Sequence, residues 1–350
     1  MNRLTLNIIT LALLASVIHS CSKSSVEFSE DDVPNGRRDY TWTIDTLPYT
    51  AQLNTALFGF SHNNMWAARS NIIYHHDGIA WTESFRCEAP INAIFGTSPN
   101  DVWAVGLNIF YHFDGIQWQE FSRFSVSEYA QWNYGLFGLR PNEIFCTGER
   151  FKNISQNIDS TEGVIMKFDG ANWSHLQNTY SKDVLFFQIF YDRINKKYYM
   201  GGRVLDIQRH LSWIDLFEFN GISDIKKIND GRQNALFLVD GSINGKAYFF
   251  SLNNKELFIY RNGRFVKYKD FSASSLSSVI GARTERDFFG FSKESDCKLL
   301  HYDGNNLVSL HDISGLPVEQ WIGEKEIFIL QIIPEGTVIL KGVLTEQQWV

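Results

Sequence analysis

The sequence predicts an all-β protein, and three observations carry that prediction. An Asp-Gly or Asn-Gly dipeptide recurs between apolar runs at Asp77-Gly78, Asp114-Gly115, Asp169-Gly170, Asn220-Gly221, Asn262-Gly263 and Asp303-Gly304, at intervals of 37, 55, 51, 42 and 41 residues. Aromatic residues make up 15% of the 350, with 28 Phe, 14 Tyr and 10 Trp, and such side chains suit half-buried sheet surfaces. No segment sustains a 3.6-residue apolar period for two or more turns, which excludes helical repeats.

Residues 91–121, INAIFGTSPNDVWAVGLNIFYHFDGIQWQEF, contain the whole repeating unit. A first apolar run meets a Ser-Pro-Asn-Asp turn, then a second run, a third run, the Asp-Gly turn and a fourth run carrying Trp118. The first run recurs as Leu57-Phe58-Gly59, Ile94-Phe95-Gly96 and Leu136-Phe137-Gly138. The second recurs as Asn64-Met65-Trp66-Ala67, Asp101-Val102-Trp103-Ala104 and Glu143-Ile144-Phe145-Cys146, with weaker copies at 198–201, 247–250 and 287–290. A period of about forty residues with four strands per unit is the mark of a β-propeller, whose blades bury their faces only by stacking around an axis. The Asp-Gly and Asn-Gly dipeptides read as two-residue hairpin turns between the third and fourth strands.

Taken in order, the chain opens with Arg3 and an apolar run over 8–18, too short to span a bilayer and built like a secretory signal. The run ends at Ile18-His19-Ser20-Cys21, which resembles a bacterial lipobox although His19 is an unusual occupant. That resemblance implies a signal peptide over 1–20 and a lipidated Cys21 as the mature N-terminus. Residues 21–39 are polar, charged and interrupted by Pro34 and Gly36, and read as a flexible tether. The domain then occupies 40–350. Residues 40–45, YTWTID, form a strand with no hairpin partner beside it.

Six Asp-Gly or Asn-Gly anchors give six blades. Residues 326–330 and 337–343 read as inner strands of another, with 346–350 as a third, and the orphan strand with Trp42 supplies the fourth. The prediction is therefore seven blades, with six or eight as the alternatives, and a ring closed by pairing the two chain ends. Closure removes two exposed sheet edges.

The Asp101-Val102-Trp103-Ala104-Val105-Gly106 strand and the Asp-Gly-x-x-Trp turns resemble those of bacterial Kelch-like, galactose-oxidase-central-domain-like propellers. The resemblance is sharp in the first three blades and implies a fold, since propellers host enzymes, lectins and scaffolds alike.

Function classes can be narrowed. A net charge of −7 argues against nucleic acid or an anionic membrane surface as the main partner, leaving the lipid anchor as the expected membrane contact. After Cys21 three cysteines remain, Cys87, Cys146 and Cys297, too few for a disulfide framework, and Cys146 takes the place of Ala67 and Ala104 as a small core residue. There is no Cys-x-x-Cys, no Gly-x-Ser-x-Gly elbow, no His-Glu-x-x-His and no phosphate loop. No residues can be assigned to a copper site of the galactose-oxidase kind, so no cofactor is expected. His75, His76 and His112 flank the turns and are expected on the outer surface.

Blade connectivity sorts the loops onto two ends. The tight turns fall on one; the links between blades and the loops between second and third strands fall on the other, together with three insertions at 123–132, 149–163 and 203–213. These carry Arg123, Tyr129, Trp132, Arg150, Lys152, Asn153, Arg203, Arg209, His210 and Trp213. Aromatics beside Arg and Asn suit stacking on a sugar or peptide while hydrogen-bonding its polar groups. The sequence thus predicts a monomeric binding module for a glycan, peptide or protein. Its rivals are a polysaccharide hydrolase or lyase, which needs paired acids at the channel mouth, and a structural subunit of a cell-envelope complex.

Overall fold

The computed structural model has seven antiparallel blades, each of four strands, with a short fifth strand, Ser181–Lys182, added beside the third strand of blade 3. The structure describes residues 33–48, 54–124, 129–154, 157–176, 179, 181–206, 209–233, 235–239, 245–292 and 296–345. Cys21, the signal peptide and residues 346–350 lie outside them. Blades 1 to 6 span 55–86, 93–123, 129–182, 184–229, 236–270 and 276–312, each running from an inner first strand to an outer fourth. Blade 7 takes its first three strands from Leu316–Ile322, Glu326–Ile333 and Gly336–Leu344, and its outer strand from Tyr40–Leu47.

The ring therefore closes through the chain ends, in a register running from Tyr40↔Leu344 to Leu47↔Thr337. Trp42 lies over Gly342, where any side chain would strike its ring. One expectation needs correcting. The strands at 326–333 and 336–344 are second and third, and the inner strand is Leu316–Ile322 upstream of them. Its sequence, LPVEQWI, lacks the Phe-Gly mark of blades 1 to 3 and carries Pro317, so it reads as a linker.

Stability resides between blades. The described residues form seven hydrophobic clusters, one at each junction of neighbouring blades. Trp103 is typical: 1% exposed, it lies 4.7 Å from the Phe168 ring and 5.4 Å from the Trp173 ring of blade 3. Cys146 is fully buried in the same junction. The Phe-Gly pair of the inner strand has a steric origin. A Cβ on Gly96 would come within 2.5 Å of the Phe60 ring of blade 1, and on Gly59 or Gly138 it would strike Met65 or Ile144 of the same blade's second strand, so glycine makes room for a side chain packed against the inner strand.

The Asp-Gly turns are in their expected places, but most are not two-residue hairpins. Asp114 Oδ1 accepts hydrogen bonds from the Ile116 and Gln117 amides, both at 2.9 Å, and the strand resumes only at Trp118. Asp77, Asp169 and Asp303 cap their turns in the same way. The side chain satisfies two amides, so a four-residue loop is stable where Gly115 takes φ +92°. Only Asn262-Gly263, at φ +51° and +77°, forms the two-residue turn, between the paired Arg261 and Arg264.

Candidate functional site

The two ends of the ring are built differently. At the turn end, polar residues are committed to packing. Asp101 accepts hydrogen bonds from Trp103 Nε1 at 3.1 Å and His112 Nε2 at 2.8 Å, and the His112 ring stacks on Trp103 with centroids 4.2 Å apart. Burial pushes the Asp101 carboxyl up, yet the bonds from His112 and Thr97 outweigh it and hold the group below its ordinary value. Asn64, Trp66 and His75 repeat this arrangement in blade 1, and Asp287, Phe289 and His301 repeat it in blade 6. The histidines expected on the outer surface are therefore internal: His75 and His112 are half-buried and His76 is buried. The partners of His75 and His112 sit on the adjacent strand, directly or diagonally across the ladder, a relation invisible to local sequence, and His76 meets the His62 carbonyl at 3.0 Å.

At the opposite end blades 3 and 4 outgrow their neighbours. The first three strands of blade 3, Tyr129–Arg140, Glu143–Ile154 and Asn157–Phe168, have 12 residues each, against 5 or 6 in blade 2. In blade 4 the second and third strands are Lys197–Asp206 and Leu211–Phe219. The insertions expected as loops are hence extensions of β-hairpins. A polar segment beside an existing strand pair satisfies its backbone most fully by lengthening the ladder.

That ladder divides the predicted residues. Trp132 sits opposite Glu149, and Gln131 sits opposite Arg150, so the two pairs project from opposite faces of the sheet. On one face Trp132 is 41% exposed and meets Phe151 edge-on at 5.1 Å, with Tyr134 at 6.5 Å. The Tyr134 hydroxyl donates to Glu149 Oε1 at 2.9 Å. Burial raises the Glu149 carboxyl, with the bond from Tyr134 opposing, and burial together with the Glu149 charge raises Tyr134. Arg203 of blade 4, exposed, acts on Tyr134 in the opposite direction.

On the other face Arg150 pairs with Glu162 at 2.6 Å beside a buried network in which His175 Nε2 meets Gln131 Oε1 at 2.8 Å. Tyr129 and Lys152 are register partners, as are Asn153 and Ile158. Arg123 ends the outer strand of blade 2 in ion pairs with Glu88 and Glu120. Arg209 and His210 occupy the exposed tip of the blade 4 hairpin, with Arg209 3.8 Å from Asp206. Trp213 is half-buried beneath the Arg232 guanidinium, 4.8 Å away. Those of the ten whose side chains are described thus fall into separate groups, and Trp132, with Tyr134, Glu149 and Phe151, is the exposed aromatic among them.

This group borders the central channel, a cavity of about 600 Å³ lined by Tyr134 and by inner-strand residues of blades 1 to 4, 6 and 7. One wall is a ladder of rings across four blades: Phe58 to Phe95 at 5.3 Å, Phe95 to Phe137 at 5.6 Å and Phe137 to Phe190 at 5.6 Å. Polar groups converge at the loop end. Asn54 Nδ2 donates to Asn92 Oδ1 at 2.7 Å, and Asn92 Nδ2 donates to the Asn133 carbonyl at 2.8 Å. Gln188, Glu319 and Gln320 add further polar lining. The described lining carries a single carboxylate, Glu319. Sequence reasoning singled out neither Tyr134 nor the phenylalanine ladder. The signal was present, since the recurring Phe of the Phe-Gly pair is the ring that faces the channel.

No family model matches the sequence, and no curated protein matches it. Solved structures do. A chain in the crystal structure of BBS1N in complex with ARL6DN superposes with a TM-score of 0.54 at 11% identity, covering 89% of this chain and 99% of that one. An oligogalacturonate lyase in complex with manganese superposes with a TM-score of 0.57 at 8% identity, covering 90% and 99%. At such identities the likeness establishes the seven-bladed propeller fold and nothing about chemistry.

Proposed function

We propose that this propeller is a binding module, exported and anchored in a bacterial cell envelope through a lipid on Cys21, that takes a glycan, peptide or protein segment at its loop-rich end. One observation carries the reading: an exposed Trp132, backed by Phe151 and Tyr134, stands beside a channel with an aromatic wall and an amide-rich mouth. Aromatic planes next to amide donors and acceptors bind the apolar faces of a sugar or peptide and orient its polar edges. The neighbouring fold seen with a protein partner is compatible with this use. The Kelch-like resemblance of blades 1 to 3 belongs to the same reading.

The hydrolase or lyase alternative draws less support, because paired-acid chemistry needs two facing carboxylates. Glu319 is alone in the described lining, and Glu149 is bonded to Tyr134. The test is a glycan array and a pull-down from envelope extract with the full chain, repeated for Trp132→Ala combined with Tyr134→Phe. Loss of the captured ligand in the double variant supports the reading. Undiminished capture, or turnover of any arrayed glycan, overturns it. Metabolic labelling with a palmitate analogue should mark the wild type and fail for Cys21→Ser.

A further inference from the structure

The turn end carries a feature that packing does not use. Four isoleucines occupy its tips: Ile79 and Ile116 in the Asp-Gly turns of blades 1 and 2, and Ile194 and Ile222 in the two turns of blade 4. Their exposures are 88, 87, 60 and 72%, the first two being the highest among the large apolar residues described as exposed. A turn tip has no packing reason to hold isoleucine, since the conformation is set by the Asp or Asn before it and by a residue at positive φ, Gly in three of the turns and Lys196 in the fourth. Cations flank Ile194, whereas exposed Asp77, Asp114 and Asp224 lie within two residues of Ile79, Ile116 and Ile222. Arg193 and Lys196 bracket Ile194, and Arg261 and Arg264 bracket the neighbouring turn of blade 5, all four exposed. At these two turns the charge thus runs against the chain's net −7.

A second, independent observation is where the chain joins the ring. Residues 35–39, read from the sequence as the end of the tether, are bonded to this same end. The Gly36 amide donates to the carbonyls of Arg286 and Asp303, both at 3.1 Å, and Arg38 pairs with Asp303 at 2.9 Å. Arg286 and Asp303 belong to the turns of blade 6. From Asn35 back to Cys21 there are 14 residues, a reach of at most about 50 Å.

We infer that the turn end is a membrane-resting face: the isoleucines dip into the interfacial region of a phospholipid bilayer, the blade 4 and 5 cations meet its phosphates, and the channel mouth points away. The inference rests on the anchor reading for the length of the leash. The apolar tips and the cations are independent of it. Isolated apolar tips on a face that also carries Lys and Arg form a shallow, reversible contact with an anionic surface, and a lipid chain adds the second attachment that stable anchoring requires.

The experiment uses the full chain with single cysteines substituted at Ile116, Ile194 or Ile222, and at Trp132 on the opposite end, each carrying an environment-sensitive fluorophore. The protein is mixed with phosphatidylethanolamine–phosphatidylglycerol vesicles containing brominated lipid, at low salt. The expected result is a blue shift and several-fold stronger quenching at 116, 194 and 222 than at 132, with a loss of signal when Arg193, Lys196, Arg261 and Arg264 are all changed to Gln. Equal quenching at both ends, stronger quenching at 132, or none at any position overturns the inference. Mass analysis of the N-terminal peptide reads the anchor separately: an unmodified Cys21 removes the leash, whereas the fluorophores report on the face whether or not lipid is attached.

Discussion

Blades 2 and 3 share one core and differ at one end. Both present an acidic residue, a spacer and a buried aromatic on the second strand, Asp101-Val102-Trp103 and Glu143-Ile144-Phe145, and both end in a Trp-bearing fourth strand. Blade 2 stops where its core stops. Blade 3 continues its first three strands well past it, and there the buried inventory changes from apolar to polar: Gln131, Asn133 and Glu149 are buried, and His175 is half-buried beside them. The comparison separates residues that hold the ring from residues the ring holds up. Polar burial of this kind is costly unless paired; in blade 3 Gln131, Glu149 and His175 are hydrogen-bonded, while Asn133 Nδ2 and Thr147 Oγ1 have no partner among the described residues.

The largest expected effect belongs to the shared core. Trp103→Ala opens a cavity between blades 2 and 3 and should cost about 3–5 kcal/mol, read as a fall in the denaturant midpoint. A loss under about 1 kcal/mol would mean that the blade junctions are not where stability lies. Next comes the turn. Gly115→Ala forces a side chain into φ +92° and against Asn100, and should cost about 1–2 kcal/mol by thermal unfolding.

Smaller is a pH effect shared by blades 1 and 3. His175 is lowered from 6.5, by burial first and by the Arg150 charge second, and burial lowers His75 and His76 as well. Unfolding lets these groups take up protons that the folded state resists. Their contribution is therefore full above pH 6.5 and is lost as pH falls below it. The melting temperature should drop between pH 7 and pH 5, and His175→Gln should flatten part of that drop without abolishing it. The smallest stability effect is at the exposed aromatic. Trp132→Ala should change stability by no more than about 0.5 kcal/mol while weakening ligand capture more than tenfold. A variant that melts early would make Trp132 another core residue.

The blade count, the closure and the third-to-fourth turns were legible because each depends on local signals: Asp-Gly, Phe-Gly and an unpaired Trp strand. What was illegible depends on partners distant along the chain. His112 is placed by Asp101 on the adjacent strand, eleven residues back. The inner strand of blade 7 is a strand only because its neighbours pair with it. The hairpin extensions of blades 3 and 4 are polar enough to pass for loops, and only the preceding strand pair gives them register. Of the candidate site, Trp132 was found as an aromatic in an insertion. Tyr134 and Glu149 were missed, because their meaning lies in a contact between two strands, 2.9 Å long.

The closing pair of strands also sets a timetable. Residues 40–47 leave the ribosome long before their partners at 337–344. Until then the first strand made has no ladder, and the growing ring presents an open edge at each end of an incomplete arc. Contacts so remote in sequence form slowly and last. The ring therefore cannot lock until residues 337–344 have been made, and its first strand stays free to move for all of that time.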